Sequence, residues 1–196
     1  KQRAQLRALA NPLAVTLIIG KEGVTEAVER ELDALLATGE TASVALGAIA
    51  LASLGVPAVS LSGWQVPVGT DGTHGGANVR CVGAERIRQE LAQRRVVLAA
   101  GFQGVAAAGD VTTLGRGGSD TSAVALAAFL GAERCIIYTD VDGVYTTDPR
   151  VCPTARRLAA VSCDPMLRLA ANGAQVLRDR SVALAARHGV TVEVRS

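Results

Sequence analysis

Short apolar runs alternate with longer, more polar segments along the chain, and this alternation predicts a mixed α/β fold. The runs lie over 13–19, 58–61, 96–100, 135–138 and 191–194. Most of them carry apolar side chains at successive positions instead of at every second one. That pattern is typical of parallel strands that helices cover on both faces. We therefore predict an α/β fold, specifically a three-layer αβα sandwich with a mainly parallel sheet.

The segments between these runs have helical features. A helix is predicted over 25–37 with Thr25 as its N-cap, and another over 41–54 that ends at Gly55. Because neither a repeat nor a linker interrupts the pattern, residues 1–196 are expected to form a single domain. Further helices are predicted over 2–9, 85–94, 120–130, 164–173 and 176–188.

Residues 41–70 contain no charged side chain, which on hydropathy alone would suggest a membrane span. Gly55 and Pro57 interrupt this stretch, however, and favour a buried helix followed by a short strand. The first residues do not have the pattern of a signal peptide. We expect a soluble, cytoplasmic protein.

The composition narrows the function classes. The 20 basic and 18 acidic residues are interspersed and give a net charge of +2, which argues against a nucleic-acid-binding surface. With 49% hydrophobic residues, the chain is not intrinsically disordered. The four cysteines lack CxxC spacing and the two histidines lie far apart, so no zinc site is predicted. Scattered thiols are typical of small core residues in a reducing cytoplasm.

A glycine-rich stretch over 112–120 is the first candidate for chemistry. It reads Thr-Thr-Leu-Gly-Arg-Gly-Gly-Ser-Asp, and its glycines allow the backbone to approach a ligand closely. Ser119 or Asp120 can cap the helix that follows, whose first amide groups attract anions. Arg116 adds a guanidinium suited to a carboxylate or a phosphate. A simple turn with a capping residue and a solvated arginine is the competing interpretation.

A second polar stretch over 138–150 holds both tyrosines of the chain, Tyr138 and Tyr145. An aromatic ring beside hydroxyl and carboxylate groups suits a nucleoside. Two consecutive turns, marked by an Asp-Gly and an Asp-Pro pair, are the alternative explanation. Carboxylates in this stretch could also orient Mg²⁺ through water. They are Asp140, Asp142 and Asp148.

Glu40 follows Thr38 and Gly39 at the predicted end of a helix, where the uncharged stretch begins. A carboxylate at that boundary could bind an ammonium group. A solvated glutamate at a helix end explains the same pattern and is the more common situation.

Together these stretches resemble the kinase domain of the aspartokinases, in the amino-acid kinase family. The longest matches are 111–120 (VTTLGRGGSD) and 138–150 (YTDVDGVYTTDPR). The resemblance runs from about Glu31 to the last residue, and shorter kinases of the family share the fold without the Arg-Gly-Gly-Ser-Asp run. Shorter matches in the family's order lie at 38–40, 73–75, 100–104 and 192–196.

The resemblance implies ATP-dependent phosphorylation of the side-chain carboxylate of L-aspartate, with Mg²⁺, to give 4-phosphoaspartate. It implies that Arg116 pairs with the substrate α-carboxylate and that Glu40 takes the α-ammonium group. Phosphoryl transfer between anions demands charge neutralisation and in-line positioning more than covalent chemistry by the protein. The implied catalytic residues are Arg116, Ser119 and Asp120, with Gly117 and Gly118 completing the substrate pocket. The implied nucleotide-binding residues are Thr139, Asp140, Tyr145, Thr146, Thr147, Asp148, Pro149, Arg150 and Gln175.

The chain departs from the family pattern at three places. Aspartokinases begin with a strand carrying Lys-Phe-Gly-Gly or Lys-Tyr-Gly-Gly, which holds the transferring phosphate; here that motif is missing, and 13–19 corresponds to the family's second strand. The stretch over 20–25 replaces the family's Ser-Ala-Met-Gly and Lys-Thr-Thr motifs, with Lys21 either a remnant or a solvated loop lysine. Gln175 stands where the family typically has a Lys that contacts the nucleotide phosphates. Loss of one preorganised donor costs about 3–4 kcal/mol, or roughly 10²–10³ in rate.

Two explanations of these departures compete. In the first, the chain is an aspartokinase whose leading strand lies outside this sequence. In the second, it is a catalytically degenerate relative that binds nucleotide or amino acid as a scaffold or partner subunit, which Gln175 favours. A kinase for another small carboxylate is a third reading, against which Arg116 and Glu40 argue. The family's regulatory ACT domains are missing too, so no feedback site is expected, and a homodimer would have to use kinase-domain surfaces.

Overall fold

A computed structural model of the chain describes residues 23–171 and 176–196. The helices are α1 (Glu26–Ser53), α2 (Glu85–Ala92), α3 (Gly118–Leu130), α4 (Cys163–Ala171) and α5 (Asp179–His188). The strands are β1 (Ala58–Leu61), β2 (Val68–Thr70), β3 (Val79–Val82), β4 (Val96–Ala99), β5 (Gln103–Val105), β6 (Val111–Thr113), β7 (Cys135–Tyr138) and β8 (Val192–Arg195).

The described strands form three sheets, two of which are parallel pairs. β1 pairs with β4, placing Ala58 opposite Val96, and β7 pairs with β8, placing Cys135 opposite Val192. Both pairs were predicted as strands from their apolar runs, and the α/β class is confirmed. The third sheet has the order β3-β2-β5-β6 and contains two antiparallel pairings. Its strands were not predicted, because β2, β5 and β6 are three residues long and contain Gly, Gln or Thr instead of an apolar run.

Helix α3 lies between the two hydrophobic clusters and contributes to both. Val124 and Ala127 pack in a cluster with residues of β7, α4 and α5, whereas Ala125 packs in a cluster with residues of β1, β2 and α2. A helix that is apolar all round is buried on more than one face. The small side chains of α3 therefore fix the start of this helix, at Gly118, inside the fold.

Helix α1 runs without interruption through Thr38, Gly39 and Glu40, so the prediction of two helices separated at this point was wrong. Thr25 is the N-cap, as predicted, and its hydroxyl accepts a hydrogen bond from the amide of Val28. Inside the helix the Thr38 hydroxyl donates to the carbonyl of Leu35 at 2.6 Å. The hydroxyl is thereby satisfied without a break in the helix, and one interior glycine costs only about 1 kcal/mol.

One side of α1 packs on β1, β4 and β6, while the other side is exposed. The prediction that residues 41–54 form a buried helix was wrong, since none of them is buried and Leu46 and Ile49 are each 66% exposed. By length and composition alone α1 could cross a membrane, and 6% of its most apolar window is buried. Core helices of soluble proteins pass the same test, so this finding assigns no location.

The remaining helix and strand predictions differ from the structure mainly at their ends. Helix α5 begins at Asp179 instead of 176, because Arg178 has an extended backbone and occupies the N-cap position. Helix α2 ends at Ala92 and β8 begins at Val192, each within a few residues of the prediction. The helix predicted over 2–9 and the strand predicted over 13–19 lie outside the described residues.

Candidate functional site

The glycine-rich stretch forms the turn between β6 and α3, and its glycines are required by its geometry. Gly115 has a φ of 70° and Gly117 a φ of 71°, in the left-handed region that favours glycine. A Cβ atom on Gly115 would lie 2.9 Å from the carbonyl oxygen of Gly75. A Cβ atom on Gly117 would lie 2.9 Å from the Cβ of Arg178. The turn can therefore pack closely against two neighbouring segments only with glycine at these positions.

Gly117 is the N-cap of α3, and no side chain makes a capping hydrogen bond there. The prediction that Ser119 or Asp120 caps this helix was wrong, because the left-handed glycine moves the cap upstream and places both residues in the first turn. Helix N-termini attract anions through their unpaired amides and the helix dipole. The start of α3 is thus free of a competing protein carboxylate cap.

A cavity of about 500 Å³ lies between this turn and the N-terminal half of α1. It brings together four of the residues predicted for the substrate pocket. On the turn side it is lined by Arg116, Gly117, Gly118 and Ser119. On the helix side it is lined by Glu29, Leu32, Asp33 and Leu36.

Asp33 is the most highly connected side chain at this cavity. The hydroxyl of Thr113 donates to its Oδ1 at 2.5 Å, and the amide of Gly75 donates to its Oδ2 at 3.0 Å. His74 donates from Nδ1 to Oδ2 at 2.9 Å. Burial acts to raise the pKa of Asp33, but these hydrogen bonds outweigh it and hold the pKa below the ordinary value. Asp33 is therefore an ionised carboxylate in the interior.

The loop that carries His74 and Gly75 is fixed by a second aspartate. Asp71 accepts hydrogen bonds from the side chain and the amide of Asn78 and from the amide of Thr73. These bonds, those from Asn78 above all, lower the pKa of Asp71 to about 2. The loop that presents His74 and Gly75 to the cavity is thus held in shape by hydrogen bonds between its own two ends.

Phe102 forms another part of the cavity wall with an unusual backbone. Its φ is 65°, which is costly for a residue with a side chain. The hydroxyl of Ser122 accepts a hydrogen bond from its amide at 3.0 Å. A Cβ on Gly118 would lie 2.8 Å from the Phe102 ring. The predicted 100–104 motif therefore packs directly against the start of α3.

Two arginines from the start of α5 reach the same turn, and neither was predicted. Arg180 donates to the carbonyl of Leu114 at 2.8 Å and to that of Ala77. The stem of Arg178 lies over Gly117, and its charge counteracts the burial that raises the pKa of Asp120. The turn is therefore held from the α5 side as well as from the α1 side.

The second predicted stretch, over 138–150, is mostly exposed and is hydrogen-bonded both within itself and to residues 156–158. The Tyr145 hydroxyl donates to Asp142 at 3.1 Å, and this bond is the main cause of the raised pKa of Tyr145. Arg150 donates to Asp148 at 2.8 Å, and this pair lowers the pKa of Asp148. Thr139 donates to its neighbour Asp140 at 3.2 Å. Thr146, Thr147 and Pro149 belong to the same loop, and the Thr146 hydroxyl accepts a hydrogen bond from the amide of Arg156 at 3.1 Å.

Some of the residues predicted for the site do not lie at this cavity. Glu40 lies on α1 two turns beyond Asp33 and does not line the cavity. Gln175 and Lys21 lie outside the described residues. The 138–150 stretch contributes no lining residue to the cavity that holds Arg116. The roles assigned to Glu40 and to the nucleotide-binding stretch stay predictions.

Within residues 23–171 and 176–196, no group of three or more His, Cys, Asp or Glu side chains is placed to hold a metal ion. Asp142 and Asp148 instead face Tyr145 and Arg150. The described residues therefore do not by themselves form the Mg²⁺ site that the three carboxylates suggested.

Asp33 was not among the residues predicted for the site. The available signal was its spacing of four residues from Ala37, which places both residues on the side of α1 that packs inward. A lone carboxylate on an apolar face requires donors from elsewhere in the fold. Which donors it would find could not be read from local sequence, since Thr113 is 80 positions away.

Comparison with known proteins confirms the resemblance to aspartokinases. Over 168 residues, 86% of this chain, it is 54% identical to an aspartokinase of Geobacillus stearothermophilus, and it spans 41% of that protein. The crystal structure of aspartate kinase from Synechocystis superposes with a TM-score of 0.72 at 42% identity, covering all of this chain and 31% of that one. Escherichia coli aspartokinase III in complex with aspartate and ADP gives a TM-score of 0.75 at 32% identity, covering all of this chain and 42% of that one.

The chain thus spans less than half the length of these relatives. The sequence model of the amino acid kinase family matches residues 3–196. This match includes the glycine-rich turn, the start of α3 and the exposed stretch at 138–150. The chain belongs to the amino acid kinase family.

Proposed function

We propose that the protein carrying this chain is an aspartokinase, which transfers the γ-phosphoryl group of ATP to the side-chain carboxylate of L-aspartate and forms 4-phosphoaspartate. The observation that carries the proposal is the placement of Arg116 at the cavity, beside the start of α3, where no side chain makes a capping hydrogen bond. The 54% identity to an aspartokinase supports the choice of substrate.

The cavity suits one end of an amino acid. Arg116 can form two parallel hydrogen bonds to the α-carboxylate. The amides at the start of α3 favour the same negative charge. Glu40 remains the proposed partner of the α-ammonium group, on the basis of the resemblance. Ser119 and Asp120, in the first turn of α3, are proposed to complete the site.

The nucleotide is proposed to bind along 138–150, through Thr139, Asp140 and the segment from Tyr145 to Arg150. Support comes from the relative solved with ADP, which is similar over the whole chain. Mg²⁺ neutralises charge on the phosphates in such reactions. Because the described carboxylates form no ready metal site, we assign none of them to Mg²⁺ and expect the ion to arrive on the phosphates of ATP.

A catalytically degenerate binding protein is the second candidate. Gln175 favours it, because glutamine brings no positive charge where the family typically has lysine. A single domain over 1–196, a cytoplasmic location and a homodimer or partner-subunit role belong to the same set of proposals. All four cysteines are free thiols, which suits a reducing compartment.

A hydroxamate assay with MgATP and L-aspartate on the complete protein tests the proposal, with L-glutamate as the control acceptor. We expect hydroxamate formation with aspartate and little with glutamate. Gln175→Lys should raise the rate, by up to roughly 10²–10³ if the lost donor limits the reaction. If no hydroxamate forms but ATP still binds, the degenerate binding protein is favoured. If neither hydroxamate formation nor ATP binding is observed, both candidates are excluded.

A further inference from the structure

Three segments that are distant in sequence meet at the carboxylate of Asp33, beside the candidate amino-acid cavity. The Asp33 side chain is 2% exposed. Its donors are the hydroxyl of Thr113 at the end of β6, the amide of Gly75 and Nδ1 of His74, at 2.5, 3.0 and 2.9 Å. None of these donors belongs to α1. The carboxylate therefore joins the helix to two other parts of the cavity wall.

Asp33 lines the cavity but is not available to a ligand. Both of its oxygens already accept hydrogen bonds from protein groups. A buried carboxylate is tolerated only when such donors compensate for its lost hydration. A ligand ammonium would have to displace them, so the arrangement is suited to holding protein atoms in place and not to binding substrate.

The atoms held by Asp33 lie on both sides of Gly115. Thr113 precedes the buried Leu114, and Gly75 faces Gly115 so closely that a Cβ there would lie 2.9 Å from its carbonyl oxygen. The backbone of the turn is thus bounded on two sides by groups hydrogen-bonded to one carboxylate. Arg116 is the next residue of the turn.

We infer that Asp33 is a positioning residue for Arg116: by binding Thr113 and the His74-Gly75 turn at once, it fixes the backbone from which the guanidinium reaches the substrate carboxylate. The identity of that substrate rests on the proposed function. The inference adds a residue that touches no ligand and acts through the turn at 114–117.

Steady-state kinetics of the complete protein test this with Asp33→Asn, Thr113→Val and Thr113→Ser. Glu31→Gln is the matched control, because Glu31 lies on the same helix but is exposed and paired with Arg30. We expect Asp33→Asn and Thr113→Val to raise KM for aspartate at least about tenfold, since displacement of a binding group by about 1 Å has effects of this size or larger. The KM for ATP should change by less than about twofold, because the 138–150 stretch lines no part of this cavity.

Thr113→Ser separates positioning from packing. Serine keeps the hydroxyl that donates to Asp33 and loses only a methyl group, so KM for aspartate should return to within about twofold of the wild-type value. Equal damage from Thr113→Ser and Thr113→Val would overturn the inference. A lower kcat together with higher KM values for both aspartate and ATP in Asp33→Asn would also overturn it, since that result indicates a general loss of structure.

Deuterium uptake distinguishes failure of this inference from failure of the proposed function. If the wild-type protein forms no phosphoaspartate, the proposed function fails, and the inference is decided by exchange alone. Uptake in a peptide covering 114–119 should rise in Asp33→Asn and in Thr113→Val, with no rise in a peptide covering β7. Unchanged uptake at 114–119 overturns the inference, and if Asp33→Asn does not fold, Thr113→Val gives the deciding measurement.

Discussion

The two stretches that were predicted to carry chemistry are built in opposite ways. The turn from Thr112 to Ser119 is anchored by residues far away in sequence, among them Asp33 on α1 and Arg180 on α5. The stretch over 138–150 is anchored by its own side chains, as in the Tyr145–Asp142 bond, and by the nearby segment 156–158. Leu114 is fully buried, whereas Tyr138 is 70% exposed.

This difference shows how the fold divides its tasks. A turn held from several elements keeps its geometry without a ligand, which lowers the ordering cost of binding. A stretch of exposed, locally paired side chains has fewer constraints, and a bound nucleotide would add new ones. We therefore expect substitutions in the turn to affect binding and stability more strongly than substitutions in the exposed stretch.

The largest expected effect is that of Arg116→Ala on catalysis. Removing the guanidinium takes away charge-assisted hydrogen bonds to the substrate carboxylate, worth about 1.5–3 kcal/mol for each charged contact. We expect turnover of aspartate to fall below detection or by at least about 10² in kcat/KM. Arg187→Ala is the control, since Arg187 is exposed on α5 away from the cavity. Similar rates for the two variants would exclude Arg116 from the site.

Asp33→Asn should have the next largest effect, on stability and its pH dependence. The amide presents one acceptor to three donors, and each unsatisfied buried group costs about 1–3 kcal/mol. The folded-state pKa of Asp33 lies below the unfolded value near 3.8, so its stabilisation is complete above that value and is lost as the pH falls through the lower folded pKa.

Urea unfolding between pH 7 and pH 2 measures this contribution. The difference in unfolding free energy between wild type and Asp33→Asn should be largest at neutral pH and shrink below about pH 4. Glu31→Gln should show no comparable difference, because Glu31 is exposed. A constant difference across the whole range would contradict an ionised Asp33 in the folded protein.

A smaller effect is expected from Arg178→Met, at the other side of the turn. Burial raises the pKa of Asp120, and the charge of Arg178 opposes this rise. Without that charge the pKa of Asp120 should move further upward, as measured by carbon NMR of its carboxyl group across a pH titration. Arg187→Met should leave it in place. A lower pKa of Asp120 in Arg178→Met would contradict the proximity of these two side chains.

The smallest effect is expected from Tyr145→Phe, which forms a matched pair with Thr113→Val. Each variant removes one hydroxyl that donates to an aspartate, at an exposed position in the first and a buried one in the second. Urea unfolding should show a change within about 0.5 kcal/mol for Tyr145→Phe and about 1–3 kcal/mol for Thr113→Val. Equal losses would show that the two stretches are not anchored differently.

The parts of this structure that sequence could predict are those set by local chemistry. The apolar runs at β1, β4 and β7 identified strands, and Thr25 identified a helix start. A helix end was wrongly predicted at Gly39 because glycine ends many helices. Here the flanking leucines and alanines favour helix, and the packing of α1 on β1 stabilises it, so the helix continues past Gly39. The mixed sheet was missed because its short strands depend on partners and not on their own composition.

The candidate site shows the same division. Arg116 and its glycines could be identified because a left-handed turn before a helix needs glycine at fixed positions. Asp33 and Arg178 could not, since their partners come from distant segments and only the tertiary fold brings them together. Single-position substitutions such as Gln175 were recognised only through the family resemblance.

The unbroken course of α1 has a mechanical consequence. A helix rises about 1.5 Å per residue, so the seven residues from Asp33 to Glu40 span about 10.5 Å and the 20 residues from Asp33 to Ser53 about 30 Å. The carboxylates of Asp33 and Glu40 therefore belong to one continuous helix, and any movement of the helix displaces both. A tilt of only about 3° about the far end of α1 would move Asp33 sideways by roughly 1.5 Å, so the position of Asp33 at the cavity depends partly on contacts about 30 Å away.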